Sequence, residues 1–237
     1  MSVHEVCEER AQTKRWLSRA ALPLWTSVGY DAKLGLFHER LSFRGEPIDA
    51  LPRRLLVQCR QMYVVSHATL TGLMDGRALL ETVFAQVLHR FRISEAKCKW
   101  IFSIDPDGSV RDQRCDSYSL AFLLFALAWL YRINSDRFYI ELADEIITIL
   151  DGHMAAELGG VTDGVPRPDG YLRQNPNMHL IEAYIALYES TGVEKYLDRA
   201  RSLYDLFCNH IFLREHAAIP EMHDNRWQVG NFDGAWY

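Results

Sequence analysis

The sequence predicts an all-α protein. Seven stretches carry apolar residues at helical spacing, and strand-like alternation is confined to short segments punctuated by Gly or Asp. Those segments also recur roughly every 60 residues, with one helix pair per interval.

The first helix runs from about Glu5 to Ser27 and ends before Gly29. The second spans Pro52 to Leu73, opening on a proline whose missing N–H is harmless in a first turn and closing near Gly72. Asp75 stands where it can cap the third, which ends near Phe91. The fourth, Asp116–Ile133, contains the longest apolar run, the twelve residues from Leu120 to Tyr131. That run is too short to cross a bilayer and predicts a buried core helix. Ser135 is the expected N-cap of the fifth, which ends near Glu157, and the sixth and seventh cover Pro176–Thr191 and Val193–Phe212. Gly35–Gly45, Trp100–Gly108 and Gly159–Gly164 are expected to form small hairpins between alternate helices. One helix pair per interval is the mark of a helical array. A closed ring and an open solenoid both satisfy the pattern.

At 237 residues, 49% hydrophobic and 24% charged, the chain excludes a disordered or collagen-like class and is read as one domain over 1–237. A formal net charge of −5 argues against nucleic acid as partner. The five cysteines (Cys7, Cys59, Cys98, Cys115, Cys208) form no C-x-x-C pair, which predicts free thiols and a cytoplasmic protein. Met1–Arg15 has no signal-peptide core and no run suits a membrane.

Two helix faces carry polar chemistry. Arg60, Tyr63 and His67 fall at i, i+3, i+7 on the second helix, a polar stripe on an otherwise apolar element. Such groups are costly to bury alone, so they predict an inter-helix network or the wall of a cavity. Asn175, His179 and Glu182 fall at i, i+4, i+7 on the sixth, with Asn175 expected at the N-cap and His179 one turn in. His179-x-x-Glu182 lacks a matching pair elsewhere, so no metal is expected, and no nucleotide or cofactor motif is present. Tyr118, Phe122, Phe125 and Trp129 make a helical stripe read mostly as core. A glycosidase using Asp105, Asp116 or Asp163 lacks a positioned carboxylate pair.

With these residues in view, the sequence resembles the N-acylglucosamine 2-epimerase superfamily, which includes cellobiose 2-epimerases and mannose- and sulfoquinovose-type aldose–ketose isomerases. The resembling segments are Gly35-Leu-Phe-His-Glu-Arg-Leu41, Arg54 through His67, Asp116-Ser-Tyr-Ser-Leu-Ala-Phe122, Arg173-Gln-Asn-Pro-Asn-Met-His-Leu-Ile-Glu-Ala183 and Ile219-Pro-Glu-Met-His-Asp-Asn-Arg-Trp227. They stand in family order from about residue 16 to 227. The resemblance implies an (α/α)6 barrel, here incomplete with about seven of twelve helices, and a sugar in its centre. It implies substrate contacts from Arg60, Tyr118, Asn175 and Trp227, and a role for His179 in ring opening and sugar positioning. It implies no cofactor, a small-molecule sugar as partner, and is compatible with a homodimer. The family chemistry is proton transfer at C2 of an unphosphorylated or N-acylated hexose by histidine. A mannose-type isomerase is favoured over an N-acylglucosamine 2-epimerase.

The family's principal acid/base histidines lie later, one in an H-x-x-E-W helix after the tryptophan matched by Trp227 and another near the C-terminus. The sequence stops at Tyr237, at or just before the first, so the expectation is a fragment of an active enzyme or a truncated, inactive remnant.

Overall fold

A computed structural model describes residues 3–95 and 98–229, with side chains from residue 6 onward. Trp236 and Tyr237, which end the sequence, lie outside the described residues. The helices are α1 (Val3–Trp16), continued by a π turn (Leu17–Ala21) into α2 (Leu22–Thr26), then α3 (Leu55–Leu70), α4 (Arg77–Phe91) and α5 (Ser117–Asn134). They are followed by α6 (Arg137–His153), α7 (Gln174–Thr191) and α8 (Glu194–Leu206), which ends in a second π turn (Phe207–Ile211). Counting the π-linked segments as single rods, the described residues form seven helical rods where seven were expected.

α3, α5 and α7 lie side by side as an inner row, and each is backed by the helix that follows it, α4, α6 or α8. α5 is central to the row, and eleven of its residues are buried, from Ser117 to Leu130. The outer helices are amphipathic: α8 buries Tyr196, Ala200, Leu203 and Leu206 at helical spacing and exposes charged residues on its other side. Asp144 of α6 binds both Lys195 Nζ (2.7 Å) and Tyr196 Oη (2.8 Å) of α8, tying adjacent outer helices together.

The strands make a repeat that periodicity alone did not reveal. β3 (Arg53–Arg54), β6 (Cys115–Asp116) and β8 (Leu172–Arg173) each run directly into an inner helix. Each pairs antiparallel with a strand one helix pair later: β4 (Ser103–Ile104), β7 (Gly164–Val165) and β9 (Met222–His223). One of the expected hairpins is therefore corrected, and another is shifted: the Gly45 end of Gly35–Gly45 turns back through Ser42 and Glu46 to a bridge between Leu41 and Pro47. Gly159–Gly164 does not fold on itself; its last residue joins the strand pair with Asp116, and the local closure is a single bridge between Ala155 and Val161. Gly35 sits in the turn of a hairpin between β1 (Tyr30–Asp31) and β2 (Leu36–Phe37), with φ 68°. Its N–H donates to Asp31 O (2.8 Å). The expected hairpin over Trp100–Gly108 is found, with β4 returning as β5 (Val110–Asp112).

Three expected helix starts also change. Pro52 does not open α3, because Arg53 and Arg54 are held in the strand pair before the helix can begin. Ser135 does not cap α6: at φ 59° it is the left-handed residue that closes α5, its N–H donating to Tyr131 O (2.8 Å). The extended residue after it, Asp136, caps α6 by accepting from Phe138 N (3.0 Å). Gly76 occupies the N-cap of α4, while the Asp75 carboxylate, one residue earlier, accepts from Arg77 N (3.3 Å).

Two buried amides, each the fourth residue of an inner helix, hold the preceding loop. Gln58 accepts from Phe37 N (2.8 Å) and donates to Phe37 O (2.9 Å). Asn177 accepts from Val161 N (2.8 Å) and donates to Val161 O (3.3 Å). Replacing Gln58 with Leu strands both Phe37 groups away from water, and we expect a loss of about 2–4 kcal/mol in urea unfolding.

Candidate functional site

The N-terminal halves of the inner helices bring three of the expected site residues together. On α5, Asp116 fixes the helix start by accepting from Ser119 N and Ser119 Oγ (both 2.7 Å), and burial raises its carboxyl above the ordinary value. Tyr118, the second residue of α5, is a half-buried phenol, and Phe122 follows four residues on along the same face. The ring of His179, from α7, meets Tyr118 edge-on (centroids 5.1 Å) and lies against Phe122 (4.6 Å). Arg60, from α3, places its guanidinium over the opposite neighbour of this group, 4.4 Å from the centre of Phe122. His179 Nδ1 is 2.5 Å from Glu182 Oε2.

Asn175 lies one turn before His179 on α7 and is half-buried. Its amide has no hydrogen-bond partner among the described residues. The expectation that it caps α7 is corrected: Arg173 is the N-cap, because β8 runs straight into the helix. Asn175 is thus the second helical residue, and Pro176 the third, where its missing N–H has no partner to lose.

Trp227 stands apart from this group. It is 1% exposed, donates its indole N–H to Gly159 O (3.0 Å) and packs against His223 (centroids 5.4 Å). In this structure its contacts are packing ones, to Gly159, Gly160 and His223. Its indole fills space between the Gly159–Gly160 loop and α8, which sequence spacing does not reveal.

The stripe Tyr118, Phe122, Phe125 and Trp129 was expected to be mostly core, yet three of the four are only half-buried. Their exposed edges belong to the inner face of the row. Further along that face, Tyr63 packs on Phe125 (4.8 Å) and Trp129 (5.1 Å), and His67 stacks on Trp129 (4.7 Å). Arg132 covers Trp129 from 4.5 Å and bonds Ser190 Oγ (2.7 Å) and Glu189 Oε2 (3.0 Å) of α7. The polar stripe of α3 is therefore divided: Arg60 joins the His179 group, and Tyr63 with His67 joins an aromatic floor. Beside that floor a groove of about 690 Å³ opens between α3 and α1, lined by Tyr63, Val64, His67, Arg10 and Lys14 among others. Phe122, read from sequence as core, stands at the centre of the His179 group. The available signal was its four-residue spacing from Tyr118.

Among the described residues no group of three or more metal-ligating side chains is present. Nor is any described helix long and apolar enough to cross a membrane. The three aspartates considered for glycoside cleavage are otherwise engaged: Asp105 binds Arg111, Asp116 caps α5, and Asp163 is paired with Arg173.

The profile of the family N-acylglucosamine 2-epimerase (GlcNAc 2-epimerase) matches residues 35–233. The chain belongs to this family. It is 31% identical over 219 residues to a mannose-6-phosphate isomerase of Rhizobium meliloti (strain 1021), covering 90% of this chain and 55% of that protein. It is 25% identical over 228 residues to a D-mannose isomerase of Thermobifida fusca, covering 90% and 56%. The cellobiose 2-epimerase of Spirochaeta thermophila DSM 6192 superposes with a TM-score of 0.87 at 19% identity, over 96% of this chain and 60% of the other. These likenesses assign the α/α barrel fold, of which the described helices form part. The family member described here spans about half the length of the curated relatives it matches.

Proposed function

We propose that this chain holds the sugar in an isomerase or epimerase that acts at C2 of an unphosphorylated or N-acylated hexose, with a mannose-type aldose–ketose isomerase favoured. The observation that carries this reading is the convergence of Arg60, Tyr118 and His179 from three neighbouring helices around the ring of Phe122. An apolar ring flanked by a guanidinium, a phenol and an imidazole suits a polyhydroxylated ring with one apolar face. Arg60 is the one cation in contact with these rings among the described residues, which favours a neutral hexose over a phosphorylated one. The absence of a disulfide among the five cysteines fits a cytoplasmic setting.

In this reading the His179 imidazole takes the O1 proton and returns it to O5 as the C1–O5 bond breaks, opening the ring. Arg60 donates to the carbonyl oxygen so formed, where negative charge grows as the C2 proton leaves. Tyr118 and Asn175 hold hydroxyls. The C2 proton passes to a base outside the His179 group, the role the family resemblance gives to later histidines; its return to the other face of C2 gives an epimer, and its delivery to C1, with a proton moved from O2 to O1 through the cis-enediol, gives the ketose. N-acylglucosamine 2-epimerisation is the alternative substrate assignment.

A second reading is that the 237-residue chain binds sugar without turning it over. It is favoured by the absence, among the described residues, of a second histidine against the His179 group: His67 is stacked on Trp129 and His223 is fully buried. Incubation with mannose, fructose, glucose, N-acetylmannosamine and mannose 6-phosphate in deuterated water separates the readings. Deuterium at C2, lost in His179→Ala, is the result expected of the enzyme. Binding without exchange supports the second reading. Neither binding nor exchange with any of the five contradicts both.

A further inference from the structure

We propose that Glu182 is a positioning residue that holds His179 as the Nδ1–H tautomer, leaving an unprotonated Nε2 to face the sugar. The proposal deepens the function above and rests on it for the identity of the ligand only.

Helix geometry places the two side chains one turn apart on α7, and the Nδ1–Oε2 separation is 2.5 Å. A carboxylate only accepts, so a neutral imidazole in this contact must carry its proton on Nδ1. Tyr118 and Phe122 pack against the ring and restrict its rotation. The His179 side chain is 16% exposed and that of Glu182 58%, so the carboxylate reaches from the rim to a ring that is mostly enclosed. Among the described residues His179 is the one partner of Glu182, and no Lys or Arg competes for it. Nε2 has no partner among the described residues, which leaves it the ring nitrogen available to a ligand.

Two other histidines are held differently. His38 Nδ1 is 2.8 Å from Arg53 Nη2, a group that only donates, so His38 must accept there and carry its proton on Nε2. The Asp49 carboxylate lies farther from the same nitrogen, at 3.3 Å. His67 Nδ1 faces the Tyr63 hydroxyl at 3.3 Å, and a hydroxyl can donate or accept, so that contact selects neither tautomer. Of these three histidines, His179 and His38 are thus held in opposite tautomers and His67 is left undecided.

The test is heteronuclear NMR of the isotopically labelled full chain at pH 9, where imidazoles are neutral, with the ring ¹⁵N and ¹³Cδ2 shifts reporting the tautomer. We expect His179 in the Nδ1–H form and His38, in the same spectrum, in the Nε2–H form. In Glu182→Gln the amide can accept or donate, so the His179 shifts should move to those of a tautomer mixture while His38 stays unchanged. Retention of the His38 signals shows that the variant is folded. Mannose binding, measured on the same samples, should weaken by about fivefold, the worth of one such hydrogen bond. A wild-type His179 in the Nε2–H form, or shifts that do not respond to Glu182→Gln, would overturn the proposal. If the wild-type chain binds no sugar, the function above fails, and the sugar-free tautomer spectra still decide the role of Glu182.

Discussion

Trp227→Ala lowers the stability of the folded chain by about 3–5 kcal/mol, the usual cost of removing a large buried aromatic. Trp227 is 1% exposed, and its backbone sits at φ 59°, a region bulky residues seldom occupy. The conformation is held by a turn in which Asp224 Oδ1 accepts from Arg226 N (2.8 Å) and Gln228 N (2.9 Å). The indole rests on Gly160, where an added Cβ would come within 3.0 Å of its ring and closer still to Leu206 and Asn177. Gly160→Ala therefore disturbs the same contact from the other side, at a backbone φ of +74° that alanine adopts poorly. Trp227→Phe keeps most of the apolar contact and loses the bond to Gly159 O, so its expected cost is smaller, about 1–3 kcal/mol. Urea midpoints of the three variants check the order. Because Trp227 is outside the His179 group, Trp227→Phe should leave mannose affinity unchanged. A large loss of affinity in a fully folded Trp227→Phe protein would place the tryptophan in the sugar site.

Acidification from about pH 6.5 to 4 destabilises the chain through His223, with an effect of about 3 kcal/mol at full extent. His223 is 0% exposed, neither ring nitrogen has a hydrogen-bond partner among the described residues, and burial lowers its pKa to about 4. Above pH 6.5 the folded and unfolded chains both hold the ring neutral, so pH has no effect through this group. Below it the unfolded chain takes up a proton that the folded chain refuses until about pH 4. Stability is therefore full above the unfolded pKa and lost as pH falls through this window. His223→Leu removes the titrating group and keeps an apolar side chain beside Leu172 and Trp227. The difference in unfolding free energy between wild type and variant should change in the variant's favour across pH 6.5–4. A difference that stays constant would mean that His223 charges freely in the folded chain.

The helices were legible because their signal is local. Apolar spacing located every rod, and the Leu120–Tyr131 run identified the buried centre of the inner row. The strands were not legible as pairs, because Arg53–Arg54 finds its partner at Ser103–Ile104 and Cys115–Asp116 at Gly164–Val165, about fifty residues away. Two residues carry too little pattern to specify a partner at that distance. The same non-local pairing displaced the starts of α3 and α7 from where Pro52 and Asn175 suggested. At the site, helical spacing gathered Arg60, Tyr63 and His67 correctly onto one side of α3. It could not show that Arg60 would meet Phe122 while His67 met Trp129, since that depends on the offset between neighbouring helices. The burial of Trp227 was not legible for a related reason. The residue's similarity to a family aromatic carried a role, but burial is set by the Gly159–Gly160 loop, which only the folded chain brings near.

The central claim is that the face shared by α3, α5 and α7 holds a hexose. Titration of the isotopically labelled chain with mannose, followed by side-chain NMR, tests it most directly. We predict saturable shifts at Arg60, Tyr118, Asn175 and His179, absent in His179→Ala. Shifts confined instead to the cleft lined by His38, Asp49 and Arg53, or none at any mannose concentration, would contradict it.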